Sequence, residues 1–310
     1  MKVFVLGGAG FIGSHLTHKL CLENYEVTIY DRNLDNKVLP ACDFHKVEGN
    51  FLEENSFERK LESHDVIIHL ISTVSPQTSM VRSLDAYRDV VNTLKMLDAA
   101  RKTGIRKVVF LSSGGTVYGD NTSEFLNEDM DCYPLNHYGI MKLSIEKILL
   151  LYNQLYDMDN VILRVANPYG PGQDPTKKVG AISVFLDNIL RGNKITLFGD
   201  GSTIRDYIEI EDVCEAIISA INYRTSNNNI QPVFNIGTGV GTSIQDLITK
   251  IEILTNIRAQ VEYKSRRSID ARRNVLDTRR SKEYLNFQYK TDIETGISNL
   301  FQYYSRYSVR

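Results

Sequence analysis

Short apolar runs alternate with segments of helical period through the first half of the chain. The runs are rich in β-branched residues and have the length of buried strands, whereas apolar positions between them recur every three to four residues. The predicted strands are 3–6, 27–30, 66–70, 108–111 and 161–165. The predicted helices are 11–22, 83–103 and 137–157. Such alternation predicts parallel strands joined by helical crossovers, with helices on both faces of the sheet.

The pattern changes near Asn167, where three prolines crowd a loop at positions 168, 171 and 175. Helices near 179–191 and 243–255 then mix with short strands and basic loops, and 226–232 is predicted to be an exposed loop. The sequence therefore predicts an α/β, Rossmann-type doubly wound parallel sheet over 1–166. A smaller C-terminal α/β lobe is predicted over 167–310, with some of its segments returning to the first domain.

Composition and charge narrow the class of partner. The chain has 310 residues and a net charge of -2, so bulk charge attracts neither nucleic acid nor an anionic membrane. Its first apolar run is too short to span a bilayer and is interrupted by glycine, so we interpret it as a strand and turn rather than a signal peptide. Four scattered cysteines without C-x-x-C spacing indicate reduced thiols and a cytoplasmic protein, and no metal site is expected.

A glycine cluster follows the first predicted strand and opens the first predicted helix. It reads Gly7-Gly8-Ala9-Gly10-Phe11-Ile12-Gly13 and satisfies both G-x-G-x-x-G and G-x-x-G-x-x-G. Glycine there permits a tight turn, close approach of the backbone to a pyrophosphate and close packing of helix on strand. Asp31 ends the second strand, at the spacing of a carboxylate that binds the ribose hydroxyls of NAD. The pattern predicts NAD rather than NADP, because a carboxylate would repel the additional phosphate.

A second constellation pairs a phenol with an ammonium. Tyr138 and Lys142 lie four residues apart on a predicted helix and therefore share a face. A nearby positive charge favours the phenolate, so the pair is expected to turn the phenol into a base. An isolated Y-x-x-x-K pair would suit a surface helix, but this pair lies downstream of the glycine cluster and follows the stretch LSSGGTVYG at 111–119, which ends a predicted strand.

Together these stretches resemble a known family. GGAGFIG, SSGGTVYG, YGIMK, NPYGPG and IRDYIEIEDV are similar to the motifs of extended short-chain dehydrogenases/reductases, within their nucleotide-sugar epimerase and dehydratase branch. The resemblance covers nearly the whole chain. It implies a Rossmann domain that holds NAD and a smaller lobe that holds a nucleotide-diphosphate sugar. It also implies a homodimer formed through a helix bundle.

The resemblance also implies roles for individual residues. Tyr138 would be the acid/base, and Lys142 would bind the nicotinamide ribose and lower the phenol's pKa. The cofactor would contact Gly7, Gly10, Phe11, Ile12, Gly13, Asp31, Arg32, Asn50, Phe51, Leu70, Tyr138 and Lys142. The substrate's phosphates, sugar or nucleotide ribose would contact Asn167, Arg205, Arg267 and Asp270. Arg272 and Arg273, in the same basic segment, are interpreted as a solvated charge run.

The absence of acidic residues at 115 and 116 argues against two of the reactions that this family catalyses. The 4,6-dehydratases carry an acid pair at positions 115 and 116, and uronate decarboxylases carry a Glu before V-Y-G, whereas this chain has Gly115 and Thr116. The chain is most similar to the UDP-glucose 4-epimerases, which implies NAD-dependent 4-epimerisation of a UDP-hexose through a transient 4-keto sugar. A nucleotide-sugar 4-ketoreductase or dehydrogenase is the alternative, followed by a non-catalytic dinucleotide sensor.

Several departures from the family pattern affect the pocket. The epimerases place a proton-shuttling serine where this chain has Gly114, so Ser113 or Thr116 would supply the hydroxyl. We rank Thr116 slightly ahead, because side chains two apart on a strand share a face. Asn50 replaces an Asp that contacts adenine and keeps a carbonyl acceptor. Other departures are Asp89 and Asn92, and the stretch HLIST at 69–73.

Asn274, four residues after Asp270, matches the family's gate beside carbon 2 of the hexose. A tyrosine at the gate excludes an acetamido group and a small residue admits it. Asparagine is intermediate in size, which suggests that both UDP-glucose/galactose and their N-acetyl forms are accepted.

Overall fold

The computed structural model describes residues 1–34, 39–177, 179–225, 230–267 and 270–307. The strands are β1 Lys2–Leu6, β2 Glu26–Asp31, β3 His45–Glu48, β4 Val66–His69, β5 Lys107–Ser113, β6 Val161–Val165, β7 Asn167–Tyr169, β8 Lys194–Phe198, β9 Ile204–Glu209, β10 Val233–Ile236, β11 Gly241–Ser243, β12 Gln260–Lys264 and β13 Arg273–Asn274. The helices are α1 Phe11–Leu22, α2 Glu58–Leu61, α3 Ser83–Thr103, α4 His137–Tyr156, α5 Ala181–Leu190, α6 Ile210–Asn222, α7 Ile244–Thr255, α8 Arg279–Tyr284 and α9 Ile293–Tyr307.

A parallel sheet of seven strands organises the first domain. Its order is β10-β6-β5-β4-β1-β2-β3, and each neighbouring pair is parallel. The strand order reverses between β1 and β4, so the loops after these two strands diverge and leave a crevice at the carboxyl edge. In open α/β sheets this crevice is where ligands bind.

Both faces of this sheet are buried, which explains why its strands are apolar at consecutive positions rather than alternate ones. Along β1, Val3 and Val5 pack into the apolar core on one face, while Phe4 and Leu6 pack into the core on the other. Helices α1 and α6 contact each other on one side of the sheet, and α3 and α4 contact each other on the other.

A smaller lobe has its own core. Strand β9 pairs with β11 on one edge and with β7 and β13 on the other, and β8 pairs with β12. Helices α5, α7 and α9 surround a third apolar cluster that includes Phe185, Leu247 and Leu300. The lobe therefore places β7, β9 and β13 beside the carboxyl edge of the main sheet.

The predicted α/β fold is confirmed. The predicted strands agree with β1, β2, β4, β5 and β6 within two residues, and the five predicted helices agree with α1, α3, α4, α5 and α7. Strand β3 and helices α2, α6, α8 and α9 carried no prediction. Strand β10, from the second half of the chain, pairs with β6 in the main sheet. The division at 166/167 itself stays a prediction, and residues 226–229 of the predicted exposed loop lie outside the described residues.

Candidate active site

The glycine cluster forms a loop that is too tight for side chains. Gly7 has φ +87°, which favours glycine. A Cβ on Gly13 would lie 2.2 Å from the Gly7 carbonyl oxygen and 2.7 Å from the Gly8 Cα. Helix α1 begins at Phe11, and its N-cap, Gly10, has no side chain to offer the first-turn amides. A bare helix N-terminus behind a glycine loop fits the pyrophosphate of NAD, with Phe11, Ile12 and Gly13 in its first turn.

Asp31 holds this loop from the end of β2. Its carboxylate accepts hydrogen bonds from the backbone N–H of Ala9 at 3.1 Å and of Arg32 at 2.8 Å. An ionised carboxylate accepts more than two hydrogen bonds, so Asp31 keeps capacity for ribose hydroxyls. Arg32 is exposed beside it.

Three further predicted cofactor residues, Asn50, Phe51 and Leu70, differ in which of their atoms are free to contact a ligand. The Asn50 side-chain oxygen accepts the Leu52 N–H at 3.2 Å. The Phe51 ring is only 3% exposed and packs 5.8 Å from the Phe57 ring centroid, so only its backbone is free to face a ligand. The Leu70 Cβ lies 3.4 Å from where a Cβ on Gly7 would stand, which places Leu70 against the glycine loop.

Tyr138 and Lys142 lie on the first turns of α4, behind the end of β5. The N-cap Asn136 accepts the Gly139 N–H at 2.9 Å, and the Tyr138 N–H donates to the Ser79 hydroxyl at 3.1 Å. The Lys142 ammonium is buried, donates to the Leu111 carbonyl at 2.8 Å and lies 5.7 Å from the centroid of the Tyr138 ring. Phenol and ammonium therefore share a face, as their spacing predicted.

Burial dominates the pKa of the phenol. Burial and the Asp89 carboxylate raise the pKa of Tyr138 to about 12, although its hydrogen bond with Ser113 lowers it. Lys142 is not among these causes, so the expectation that it lowers the phenol's pKa stays a prediction. Burial also lowers the pKa of Lys142 to about 8, against the opposing effects of Asp89 and Glu146.

The stretch 111–119 bends at a place the sequence did not indicate. Strand β5 ends at Ser113, and the chain turns over 114–118, with the N–H of Thr116 and of Val117 both donating to the Ser113 carbonyl. The argument that ranked Thr116 by strand alternation is therefore wrong, because Thr116 is not on a strand. Its hydroxyl oxygen is buried without a partner among the described residues, whereas the Ser113 hydroxyl lowers the pKa of the Tyr138 phenol.

Gly114 is required by packing. A Cβ there would lie 2.6 Å from a terminal carbon of Leu276 and 3.0 Å from the Arg164 carbonyl oxygen. Asn274, fully buried on β13, donates its amide to the Gly114 carbonyl at 2.8 Å. In this conformation Asn274 does not face an open cleft, and its side-chain oxygen has no hydrogen-bond partner in the described part of the chain.

The predicted substrate residues gather on β7, β9 and the segment before β13. Asn167 donates to the Asp206 carbonyl at 2.8 Å. Arg205 donates to the carbonyls of Ile204 and Ala271, and its burial lowers the pKa of the guanidinium. Arg267 and Asp270 form an ion pair of 2.8 Å, with the Arg267 guanidinium 4.2 Å from the centroid of the Phe198 ring. Residues 268 and 269 between them lie outside the described residues.

Sequence reasoning noted two departures from the family pattern but missed that they contact each other. The buried Asp89 carboxylate accepts both the backbone N–H and the hydroxyl of Thr73, each at 2.9 Å. Burial raises the pKa of Asp89, and the Lys142 charge opposes that rise. The sequence contained a signal for this contact, since Thr73 and Asp89 both depart from the family pattern. Only the fold shows that the loop after β4 reaches α3.

The described ranges contain neither a metal-binding cluster nor a membrane-spanning helix. No cluster of three or more His, Cys, Asp or Glu side chains there is arranged to hold a metal. No helix in those ranges has the length and apolar character needed to cross a membrane.

Comparison with known proteins agrees with this geometry. A profile of the NAD dependent epimerase/dehydratase family matches residues 3–237. The chain is 33% identical over 315 residues to a UDP-glucose 4-epimerase of Mycolicibacterium smegmatis, covering 98% of each chain. A crystal structure of the UDP-glucose 4-epimerase of Thermotoga maritima with UDP-glucose superposes with a TM-score of 0.92, at 33% identity and 99% coverage of both chains.

A UDP-N-acetylglucosamine 4-epimerase of Methanobrevibacter ruminantium, solved with UDP-N-acetylmuramic acid, superposes with a TM-score of 0.89, at 27% identity and 98% coverage of both. The glycine loop, the Tyr138–Lys142 pair and the extent of these matches lead to one conclusion. The chain belongs to the NAD dependent epimerase/dehydratase family.

Proposed function

We propose that this protein is an NAD-dependent 4-epimerase of UDP-hexoses. The observation that carries the proposal is the arrangement at the end of β5, where the Lys142 ammonium lies buried 5.7 Å from the centroid of the Tyr138 ring and the Ser113 hydroxyl lowers the pKa of the same phenol. The likeness to UDP-glucose 4-epimerases along nearly the whole chain supports the same reaction.

In this proposal the chain's own residues move one proton. Tyr138, as phenolate, takes the proton of the sugar 4-hydroxyl, and Ser113 donates a hydrogen bond to the developing charge. NAD, when bound, would accept a hydride from carbon 4 of the sugar and return it to the opposite face of the same carbon. The 4-keto sugar then rotates in the site, so that its other face is turned to the hydride donor. Tyr138 returns the proton to the sugar's 4-oxygen. The net reaction consumes neither acid nor reductant.

The substrate would be held between the two lobes. Arg205 and Arg267 suit the diphosphate, because guanidinium groups bind phosphate oxygens in pairs of hydrogen bonds. On binding, Asp270 would exchange its ion pair with Arg267 for hydrogen bonds from the nucleotide's ribose hydroxyls. Asn167 would contact the phosphates or the sugar. Asn274 would lie nearest carbon 2 if β13 shifts on binding, and acceptance of N-acetyl sugars depends on that shift.

We also propose a homodimer through α3 and α4. These two helices pack together, and their outer faces expose Leu84, Val91, Leu151 and Leu155, each about half exposed or more. Apolar residues at positions 84, 87 and 91 recur at helical spacing, so they form one stripe. The division into a domain at 1–166 and a lobe at 167–310, and a cytoplasmic location, remain part of this proposal.

The test is incubation of the purified protein, without added cofactor, with UDP-glucose, UDP-galactose and their N-acetyl forms, followed by NMR analysis of the products. We expect interconversion of the 4-epimers at constant cofactor content. Stoichiometric consumption of nicotinamide would instead identify the ketoreductase alternative. Absence of turnover with every sugar would favour the sensor.

A matched pair of tyrosine variants assigns the base. Tyr138→Phe should lower kcat about 10²- to 10⁴-fold, the usual contribution of a positioned acid/base. Tyr152→Phe, on the same helix, loses only a hydrogen bond to Asp98 and should keep its activity. Equal activities of the two variants would show that Tyr138 is not the base.

A further inference from the structure

Two cysteines separated by twenty positions meet outside the active site. Cys21 lies in the last turn of α1, and Cys42 lies in the loop between β2 and β3. Their sulfur atoms are 2.7 Å apart, and both residues are half-buried. The sulfurs are thus in direct contact, which is the first condition for a disulfide.

The other two cysteines offer a contrast within the same chain. Cys132 is half-buried and its thiol faces the Met130 carbonyl, while Cys214 is fully buried on α6 in the apolar core. All four cysteines are among the described residues, and only Cys21 and Cys42 contact each other. Proximity therefore distinguishes one pair from the remaining two thiols.

The contact is also accessible. A surface hollow is lined by both cysteines together with Asn24, Tyr25, Phe44 and His45. A small oxidant in this hollow would reach the sulfurs without any opening of the core. Accessibility and proximity are independent observations, and they coincide at this pair alone among the cysteines.

We propose that Cys21 and Cys42 form a reversible disulfide on exposure to a hydroperoxide. The Cys42 thiolate attacks one oxygen of hydrogen peroxide, the O–O bond breaks and water leaves, which gives a sulfenic acid at Cys42. The Cys21 sulfur then attacks the Cys42 sulfur, the S–O bond breaks and a second water leaves. The two thiols lose two electrons and two protons in total, and the peroxide takes up both.

The two sulfurs have different roles in this reaction. Burial and the neighbouring Cys42 raise the pKa of the Cys21 thiol. We assign Cys42 as the sulfur that meets the peroxide and Cys21, in contact with it, as the resolving thiol.

The bond would tie the loop after β2 to helix α1. This loop begins immediately after Asp31, whose carboxylate holds the glycine loop through Ala9. Cross-linking positions 21 and 42 also removes freedom from the unfolded chain, which stabilises the fold. We therefore expect oxidation to raise the Tm and to slow exchange of bound cofactor, with both effects reversed by dithiothreitol. In a reducing compartment such a bond is transient, as redox-sensing disulfides are.

The experiment uses the full chain, reduced and then treated with hydrogen peroxide. Under denaturing conditions the titratable thiols should fall from four to two, and peptide mapping without reductant should recover one cross-linked peptide containing Cys21 and Cys42. Cys42→Ser should lose this cross-link, whereas the control Cys132→Ser should keep it.

Four free thiols after treatment, a cross-link between chains, or a cross-link through Cys132 or Cys214 would each overturn the proposal. So would sulfinic acid at Cys42 with no disulfide. The mapping of the unmodified chain stands even if a serine variant fails to fold.

Discussion

Ser113 ends β5 and lowers the pKa of the Tyr138 phenol, while Thr116 lies in the turn that follows. The neighbouring Ser112 donates to the buried Glu146. Successive side chains of a strand point to opposite faces, so the two serines of β5 serve different surroundings. We therefore propose that Ser113, rather than Thr116, supplies the hydroxyl that assists the phenol.

Removal of the Ser113 hydroxyl tests this selection. Ser113→Ala should lower kcat by one to two orders of magnitude, because a hydrogen bond that lowers the phenol's pKa is lost. Thr116→Val keeps the shape of its side chain and removes a hydroxyl that has no partner in the described residues, so kcat should change little. Steady-state kinetics on both variants would decide, and the reverse ranking would restore Thr116.

The carboxylate of Asp89 acts on both members of the pair. A negative charge favours the protonated forms of Tyr138 and Lys142, so it raises both pKa values. In Asp89→Asn we expect both pKa values to fall, and the limbs of the pH profile of kcat/KM to move to lower pH. The matched control is Thr73→Val, which removes a hydrogen bond to Asp89 and leaves its charge. Identical profiles for the two variants would mean that Asp89 only anchors the loop.

At the scale of elements, the first strand, turn and helix act as one unit. Helix α1 approaches the glycine loop so closely that a methyl group at position 13 would overlap the Gly7 carbonyl. This closeness is what leaves the helix amides facing a ligand rather than a side chain.

Gly13→Ala should therefore deplete the purified protein of NAD, as measured by cofactor extraction. Gly192→Ala is the control, because it adds strain at a positive φ of 68° in open space away from this loop. It should cost about 1–3 kcal/mol of stability and leave the NAD content unchanged. Full NAD content in Gly13→Ala would place the pyrophosphate elsewhere.

The elements that sequence reasoning found share strong local signals, and those it missed lack them. Strands β1, β5 and β6 are largely buried on both faces, and each contains a run of consecutive apolar residues. By contrast, β3 is a largely polar edge strand, and α6 begins directly where β9 ends, without a Gly or Pro between them.

The site divides in a similar way. The spacing of the glycines and the Tyr138–Lys142 spacing are local in the chain, so the sequence alone predicted the tight loop and the shared helix face. The turn at 114–118, the burial of Asn274 and the contact of Thr73 with Asp89 depend on segments far apart in the chain. Tertiary packing decides such features, and it also decides whether burial or a neighbouring charge dominates a pKa.

At the scale of the whole molecule, the outer faces of α3 and α4 present exposed apolar side chains. Leu84 is 73% exposed and Leu155 is 58% exposed. Burial of such residues against a second copy would remove apolar area from water on both chains, which drives association.

Leu151→Glu places a charge in this surface and should convert a dimer into a monomer, as measured by analytical ultracentrifugation. Ile253→Glu, on α7 in the other lobe, changes an even more exposed apolar residue and should leave the mass unchanged. A monomeric unmodified chain, or a dimer of Leu151→Glu, would place any interface elsewhere.

The packing of Leu276 against Gly114 has a consequence for how this chain could change over generations. A serine at 114 has no room while Leu276 keeps its length, and shortening Leu276 first opens a cavity that costs about 2–5 kcal/mol. A serine at 114 also needs the Arg164 carbonyl, 3.0 Å from the added Cβ, to give way. The glycine is therefore held in place by its neighbours, and an engineered exchange for serine would have to pass through a less stable intermediate.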